Sequence, residues 1–321
     1  MTHIDIHPLV SPWGRFGLYS FFIDAPEPAI VDTGIATSPA EGMLPALKAI
    51  DRNIEDVRWI LLTHGHVDHL GGAHALWELT GRRARVVIHE ADAPFLRARR
   101  THVDEYLDGR GQYLLDPQGE QKQAATAQAA ISGELEPTVL VTGGETLSLG
   151  GDVTVSVHAI PGHTAGSVAY VVDGQNAVFV GDGVQVHGAA NAFPSYVDPV
   201  AYRSSLRYLR DEVRPRNLYL GHPYRNAEGV PYGVELDATQ AHAALQESLD
   251  IEARIDDAAW RRLRNGLHES DSPYSPFAEV AEELGYHGDP SLEPSPFFTT
   301  MHGYRTRFSG ESAYTTGSVS A

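Results

Sequence analysis

The segment that most narrows what this chain can fold into is T-H-G-H-V-D-H at Thr63–His69, directly after the apolar run Trp59–Leu62. Four side chains of metal-binding type, His64, His66, Asp68 and His69, fall within six residues. A lone histidine at a strand end is ordinary. Three of them with an aspartate on one loop would each need separate desolvation and hydrogen bonding if packing were their only role. In extended backbone His64 and His66 point the same way, and a turn then brings Asp68 and His69 beside them. Gly71 and Gly72 let a following helix close against the strand end. The segment therefore asks for a strand, a ligand-bearing loop and a helix around a metal. The chain has no cysteine, so the ligands must be imidazole and carboxylate, and disulfides and a cysteine nucleophile are excluded.

The surrounding pattern is α/β. Short β-branched and aromatic runs bounded by Pro, Gly or Asp read as strands at Leu18–Ile23, Ala29–Asp32, Val57–Leu62 and Arg85–His89. A second set follows at Thr138–Val141, Val153–Ile160, Val168–Val172, Ala177–Val180 and Leu218–Leu220. Pro39–Ile50, Leu70–Thr80 and Pro199–Val213 have helical spacing. Three single residues sit where strands give way to loops: His163 in P-G-H-T-A-G-S, Asp182 in V-F-V-G-D-G and His222 in L-Y-L-G-H-P. Each alone reads as structural. Together with the cluster they gather at strand ends, where α/β proteins place their ligand sites.

With these residues in place, the pattern resembles the metallo-β-lactamase superfamily. His-x-His-x-Asp-His, followed by isolated His, Asp and His at strand ends, carries the resemblance. V-D-T-G at 31–34, P-G-H-T-A-G-S at 161–167 and G-D-G at 181–183 extend it over roughly residues 15–225. The resemblance implies a four-layer αββα sandwich of two similar halves, matching a weak echo between AIVDTG at Ala29–Gly34 and AVFVGDG at Ala177–Gly183. It further implies that His64, His66 and His163 hold one zinc, and that Asp68, His69 and His222 hold a second. Asp182 would bridge both, and Asp32 would orient a ligand loop without binding metal. Asp68 and Asp182 would be the catalytic carboxylates. Imidazole and carboxylate ligands suit Zn²⁺, with iron or manganese as alternatives. Two such ions ~3.5–4 Å apart can share a hydroxide near pH 7, ready to attack a carbonyl or phosphoryl centre.

Several features narrow the chemistry. A chain without cysteine is unlike the β-lactamases that use a cysteine ligand, and Asp182 departs from the all-histidine lactamases. The pattern is closer to glyoxalase II, acyl-thioester hydrolases and N-acyl homoserine lactonases, with a β-lactam as a related strained carbonyl. The expectation is a dinuclear zinc hydrolase acting on a small-molecule ester, thioester, lactone or β-lactam. The alternative on the same scaffold is a mononuclear iron-dependent dioxygenase resembling the persulfide dioxygenases. His66 stands where flavodiiron oxidoreductases carry Glu. Lys+Arg total 24 against 42 for Asp+Glu, a net charge of −18 that argues against the nucleases sharing this loop motif and against nucleic-acid partners. His187 and Tyr224 lie near the motif positions and could line the pocket, donating to a developing oxyanion, or simply pack beside it.

Organisation outside the motifs is coarser. Residues 90–133, rich in Ala, Gln, Arg and Glu, read as helical and too long for a simple connection. They form either an exposed insertion or a lid. The catalytic unit is expected over 1–230, with a helical extension over 231–308 (helices at Leu236–Ile255, Asp257–Leu267 and Pro276–Leu284) and a loose tail at 309–321. Leu245, Leu249, Trp260 and Leu263 offer apolar faces that could serve a homodimer. Met1–Val10 carries neither a basic nor an apolar signal region, and no run approaches the ~20 apolar residues of a membrane helix. A cytoplasmic protein without a membrane partner is the expectation.

Overall fold

Short strands with alternating inward and outward side chains build the frame. The computed structural model describes residues 3–14, 16–189, 192–264, 266–290 and 295–309. One sheet runs in sequence order through β1 (Ile6–Trp13), β2 (Phe16–Ile23), β3 (Ala29–Val31), β4 (Trp59–Leu61), β5 (Arg85–His89) and β6 (Val139–Val141). A second contains β7 (Thr146–Ser148), β8 (Thr154–Ala159), β9 (Val168–Val172), β10 (Ala177–Phe179), β11 (Asn217–Tyr219) and β12 (Glu235–Asp237), again in sequence order. β3 to β6 are parallel, as are β10 and β11.

The period of two divides the side chains between layers. Trp59 and Leu61 face the second sheet, where they join Phe21, Val31, Val155, Tyr170, Phe179 and Tyr219 in the central core. Phe21 touches Phe179 and Tyr219 across the sandwich, with ring centroids 5.4 and 5.1 Å apart. Ile60 and Leu62 point the other way, against Met43, Leu47, Ala73 and Leu76 of the first helical layer. In the second sheet Val178 and Val180 face outward onto Tyr202, Leu206, Leu245, Phe277 and Phe297. Helix, sheet, sheet, helix is the four-layer αββα arrangement expected.

The C-terminal region differs from the expectation in detail. Residues read as two helices form one, Ala238–Leu263. No Pro or Gly interrupts it, and Asp237 starts it by accepting from the Thr239 and Gln240 amides in a capping box. Just before it, β12 adds an edge to the second sheet. Helix Pro296–Ser309 is not among the expected elements, yet Phe297, Met301 and Tyr304 recur at helical spacing and are fully buried. β1 and β7 are further additions: Pro8 and Pro12 obscure the first, and the second has only three residues. Leu245, Leu249 and Leu263 are buried in this core, so they cannot form a dimer face; of the four, only Trp260 is exposed. The tail beyond residue 309 lies outside the described residues. No helix among the described residues is long and apolar enough to cross a membrane.

Candidate metal centre

Parallel pairing carries consecutive strand ends to one edge of the sandwich, and the singled-out residues follow them there. Asp32 follows β3, the Thr63–His69 loop follows β4, Asp182 follows β10 and His222 follows β11, while His163 lies on the turn from β8 to β9. All seven expected ligands come together. His64, His66 and His163 form one group with ligand atoms within 4.8 Å, Asp68, His69 and His222 another, and His64, His69 and Asp182 a third that joins them. The close approach needs glycine: a Cβ on Gly221 would meet Asp182 Oδ1 at 2.5 Å and His69 Cε1 at 2.7 Å.

Hydrogen bonds around the rim decide which ring nitrogen faces inward. Asp32, at a positive φ of 58°, accepts from the Thr63 amide (2.8 Å) and hydroxyl and from His69 Nδ1 (2.8 Å). With its proton given to Asp32, the Thr63 hydroxyl accepts from His64 Nδ1 at 3.1 Å. His163 donates Nδ1–H to the Ser195 carbonyl at 2.7 Å. His66 donates Nε2–H to Glu105 at 3.3 Å. When neutral, each of these four rings therefore turns a lone pair toward the centre.

The centre itself is short of protein donors. His64 Nε2 and Asp182 Oδ1 are buried with no hydrogen-bond partner. His66 Nδ1 faces His163 Nε2 at 2.8 Å, and His69 Nε2 faces His222 Nε2 at 3.3 Å. Around His69 and His222 the contacts are 3.1 Å (Asp68 Oδ2 to His222), 3.2 Å (Asp182 Oδ1 to His69), 3.6 Å (Asp182 Oδ1 to His222) and 3.8 Å (Asp68 Oδ2 to His69). Ligands at zinc distances in a tetrahedron stand about 3.3 Å apart. The donor set fits a small dication.

Electrostatics agree with the geometry. Burial and the neighbouring imidazoles hold His64 well below the usual histidine range. Burial opposes ionisation of Asp182, but His222 and His69 outweigh it and keep the carboxyl well below its ordinary value. His69 is pushed well above its ordinary value against burial by Asp182, Asp68 and Asp32. The carboxylates thus favour positive charge at a place where the rings crowd one another.

Two neighbours lie outside the residues singled out from the sequence. Asp92 accepts from the Gly65 amide (2.7 Å), the Gly166 amide (2.8 Å) and the Thr164 hydroxyl (2.7 Å), pinning the metal loop to the P-G-H-T-A-G-S turn. It lies three residues past the end of β5, not directly at a strand end as Asp32 does after β3. Glu105 comes from the 90–133 insertion, whose helices are Ala93–Arg97, Arg99–Asp108 and Gly119–Ala130. Nothing in its sequence context marks it out. Tyr224 is buried beside His222, with its hydroxyl unpartnered. His187 instead turns Nε2 to Glu247 at 3.2 Å. A cavity of about 360 Å³ lined by Glu27, Arg58, Arg83 and Arg85 lies at the opposite strand ends and includes none of these residues.

Two facing mixed sheets carry an imidazole–carboxylate cluster at one edge, a candidate metal site. The chain belongs to the metallo-beta-lactamase superfamily, whose family model matches residues 14–226. It is 28% identical over 249 residues to a hydroxyacylglutathione hydrolase of Mesorhizobium japonicum, covering 77% of this chain and 79% of that one. A protein of the same name from Rhodopseudomonas palustris is 31% identical over 224 residues, covering 68% and 69%. A metallo-beta-lactamase family protein of Thermus thermophilus shares the fold at TM-score 0.66 and 19% identity, covering 96% of this chain and 94% of that one.

Proposed function

We propose that the protein is a dinuclear zinc hydrolase that cleaves the acyl bond of a small molecule, with a thioester as the favoured substrate. The observation that carries this reading is the position of Asp182: Oδ1 lies 3.2 Å from His69 Nε2, and Oδ2 lies 3.7 Å from His163 Nε2. One carboxylate thereby faces both ligand groups. His64, His66 and His163 would hold one ion, Asp68, His69 and His222 the other, and Asp182 both, leaving Asp32 to fix His69 and Thr63. A bound ion there would supply Lewis acidity to a carbonyl oxygen and would bring the pKa of coordinated water near 7. Asp68 and Asp182, the carboxylates of the set, line the reacting centre. Burial and the nearby Asp182 hold the Tyr224 hydroxyl well above its ordinary value, so it would stay protonated as a donor beside the centre.

The thioester preference rests on the hydroxyacylglutathione hydrolases among the relatives. The test is a panel of thioester, ester, lactone and β-lactam substrates, paired with elemental analysis after gentle dialysis. Two zinc ions per chain and highest kcat/KM on a thioester are expected. Lactone turnover well above thioester turnover would displace the substrate reading. One iron per chain with oxygen uptake would replace the hydrolase by the dioxygenase.

A further inference from the structure

Four imidazoles of the cluster have an outer ring nitrogen held by an identified partner. Thr63, Asp32 and the Ser195 carbonyl serve His64, His69 and His163, and all three belong to loops that follow or join the strands. The fourth partner is different. Glu105 reaches His66 Nε2 from helix Arg99–Asp108 of the insertion. His66 is also the ring of these four that turns Nδ1 inward, placing it 2.8 Å from His163 Nε2.

We propose that Glu105 is a positioning residue for the metal: by accepting Nε2–H from His66 it fixes the tautomer that leaves Nδ1 as the donor atom, so the insertion completes the ligand set. This rests on the metal-binding reading above. A carboxylate on the outer N–H of a ligating histidine orients the ring and raises its basicity. Asp32 stands in that relation to His69. Glu105 would do the same for the other group of ligands.

The helix is built to deliver Glu105 there. His102, Val103 and Tyr106 are its buried residues, and Glu105 follows His102 by three positions, on the same face. The His102 ring packs on Phe95 at 5.0 Å. Phe95 in turn covers Gly65, where a Cβ would come within 2.6 Å of its ring. Tyr106 lies over Gly119 at the start of the next helix, its hydroxyl occupying the space that a Cβ there would need. Glu105 and His66 side chains are 27% and 26% exposed, so the charge-assisted bond is shielded well beyond an ordinary surface pair. Covering a pocket would require none of this registration with the metal loop.

The test uses the full chain with Glu105→Ala and Glu105→Gln. Zinc affinity is measured by competition with a chromophoric chelator, and ligand geometry by the visible spectrum of the cobalt(II)-substituted protein. Glu105→Ala should weaken zinc by about 10–100-fold and shift the cobalt bands. Glu105→Gln, whose amide oxygen still accepts the N–H without the charge, should fall between. The thermal midpoint of the metal-free protein should stay near wild type in both. Wild-type affinity and spectrum in Glu105→Ala overturn the inference. So does an affinity loss that only tracks a lower metal-free midpoint, because packing would then explain both. If the wild type binds no zinc, the proposed function fails and takes this inference with it. If the wild type binds and Glu105→Ala matches it, this inference alone fails.

Discussion

Asp182 turns one carboxylate oxygen toward His69 and His222 and the other toward His163, whereas Asp32 spends its oxygens on Thr63 and His69. The two aspartates should therefore fail differently. Asp182→Ser removes a group shared by both ligand sets, and is expected to lower metal content at both and reduce kcat by ~10²-fold or more. Asp32→Asn keeps the size of the side chain and can still accept from the Thr63 amide. It should cost less and act mainly through metal affinity. Elemental analysis and steady-state kinetics on both variants give the order. Two retained metals and near-full turnover in Asp182→Ser would end the bridging assignment.

Helix Pro296–Ser309 buries Phe297, Phe298, Met301 and Tyr304 although no helix is expected there from the sequence. Phe298 is fully buried, stacked on Tyr113 with ring centroids 5.7 Å apart and packed against Phe277 and Phe297. Phe298→Ala should cost about 3–5 kcal/mol in urea unfolding, through lost transfer energy and the cavity left behind. Leu115→Ala, at a fully exposed position of the insertion, should stay within about 0.5 kcal/mol. Equal, small effects would mean that this helix is peripheral to the fold. The same helix layer buries Glu252, bound by Arg203 through two hydrogen bonds of 2.5 and 2.8 Å and by the Tyr304 hydroxyl at 3.0 Å. That network ties Pro199–Tyr208, Ala238–Leu263 and Pro296–Ser309 into one layer.

For the molecule as a whole, one buried histidine that is not itself a candidate ligand links stability to pH. His102 donates Nε2–H to the Phe95 carbonyl at 3.0 Å, and burial lowers it to about 4 despite the pull of Glu105. The unfolded chain binds this proton near pH 6.5 and the folded one only near 4, so between those values the unfolded state holds more protons. Stability contributed by neutral His102 is present above about pH 6.5 and lost progressively as pH falls toward 4. Between pH 7 and 5 the wild type should lose about 2 kcal/mol more than His102→Gln in metal-free urea unfolding. A pH-independent difference between the two would show that His102 is not held neutral.

The loop Thr63–His69 announced a metal site because four donors within six residues have no other economical use, and the glycine and apolar contexts of His163, Asp182 and His222 placed them at strand ends. Apolar β-branched and aromatic runs bounded by Pro, Gly or Asp likewise made most strands legible, and the resemblance supplied the four layers. What stayed hidden was set by distance along the chain. Glu105 meets His66 across 39 positions and Asp92 meets Gly166 across 74, and neither pairing leaves a local pattern. The buried faces of Leu245 and Leu249 read equally well as a dimer surface, because an apolar helix stripe records that something covers it and not what. Local residue types determined which atoms could bind a metal. Only the tertiary structure decided which nitrogen His66, His69 and His163 turn inward, since Glu105, Asp32 and the Ser195 carbonyl lie 39, 37 and 32 positions away along the chain.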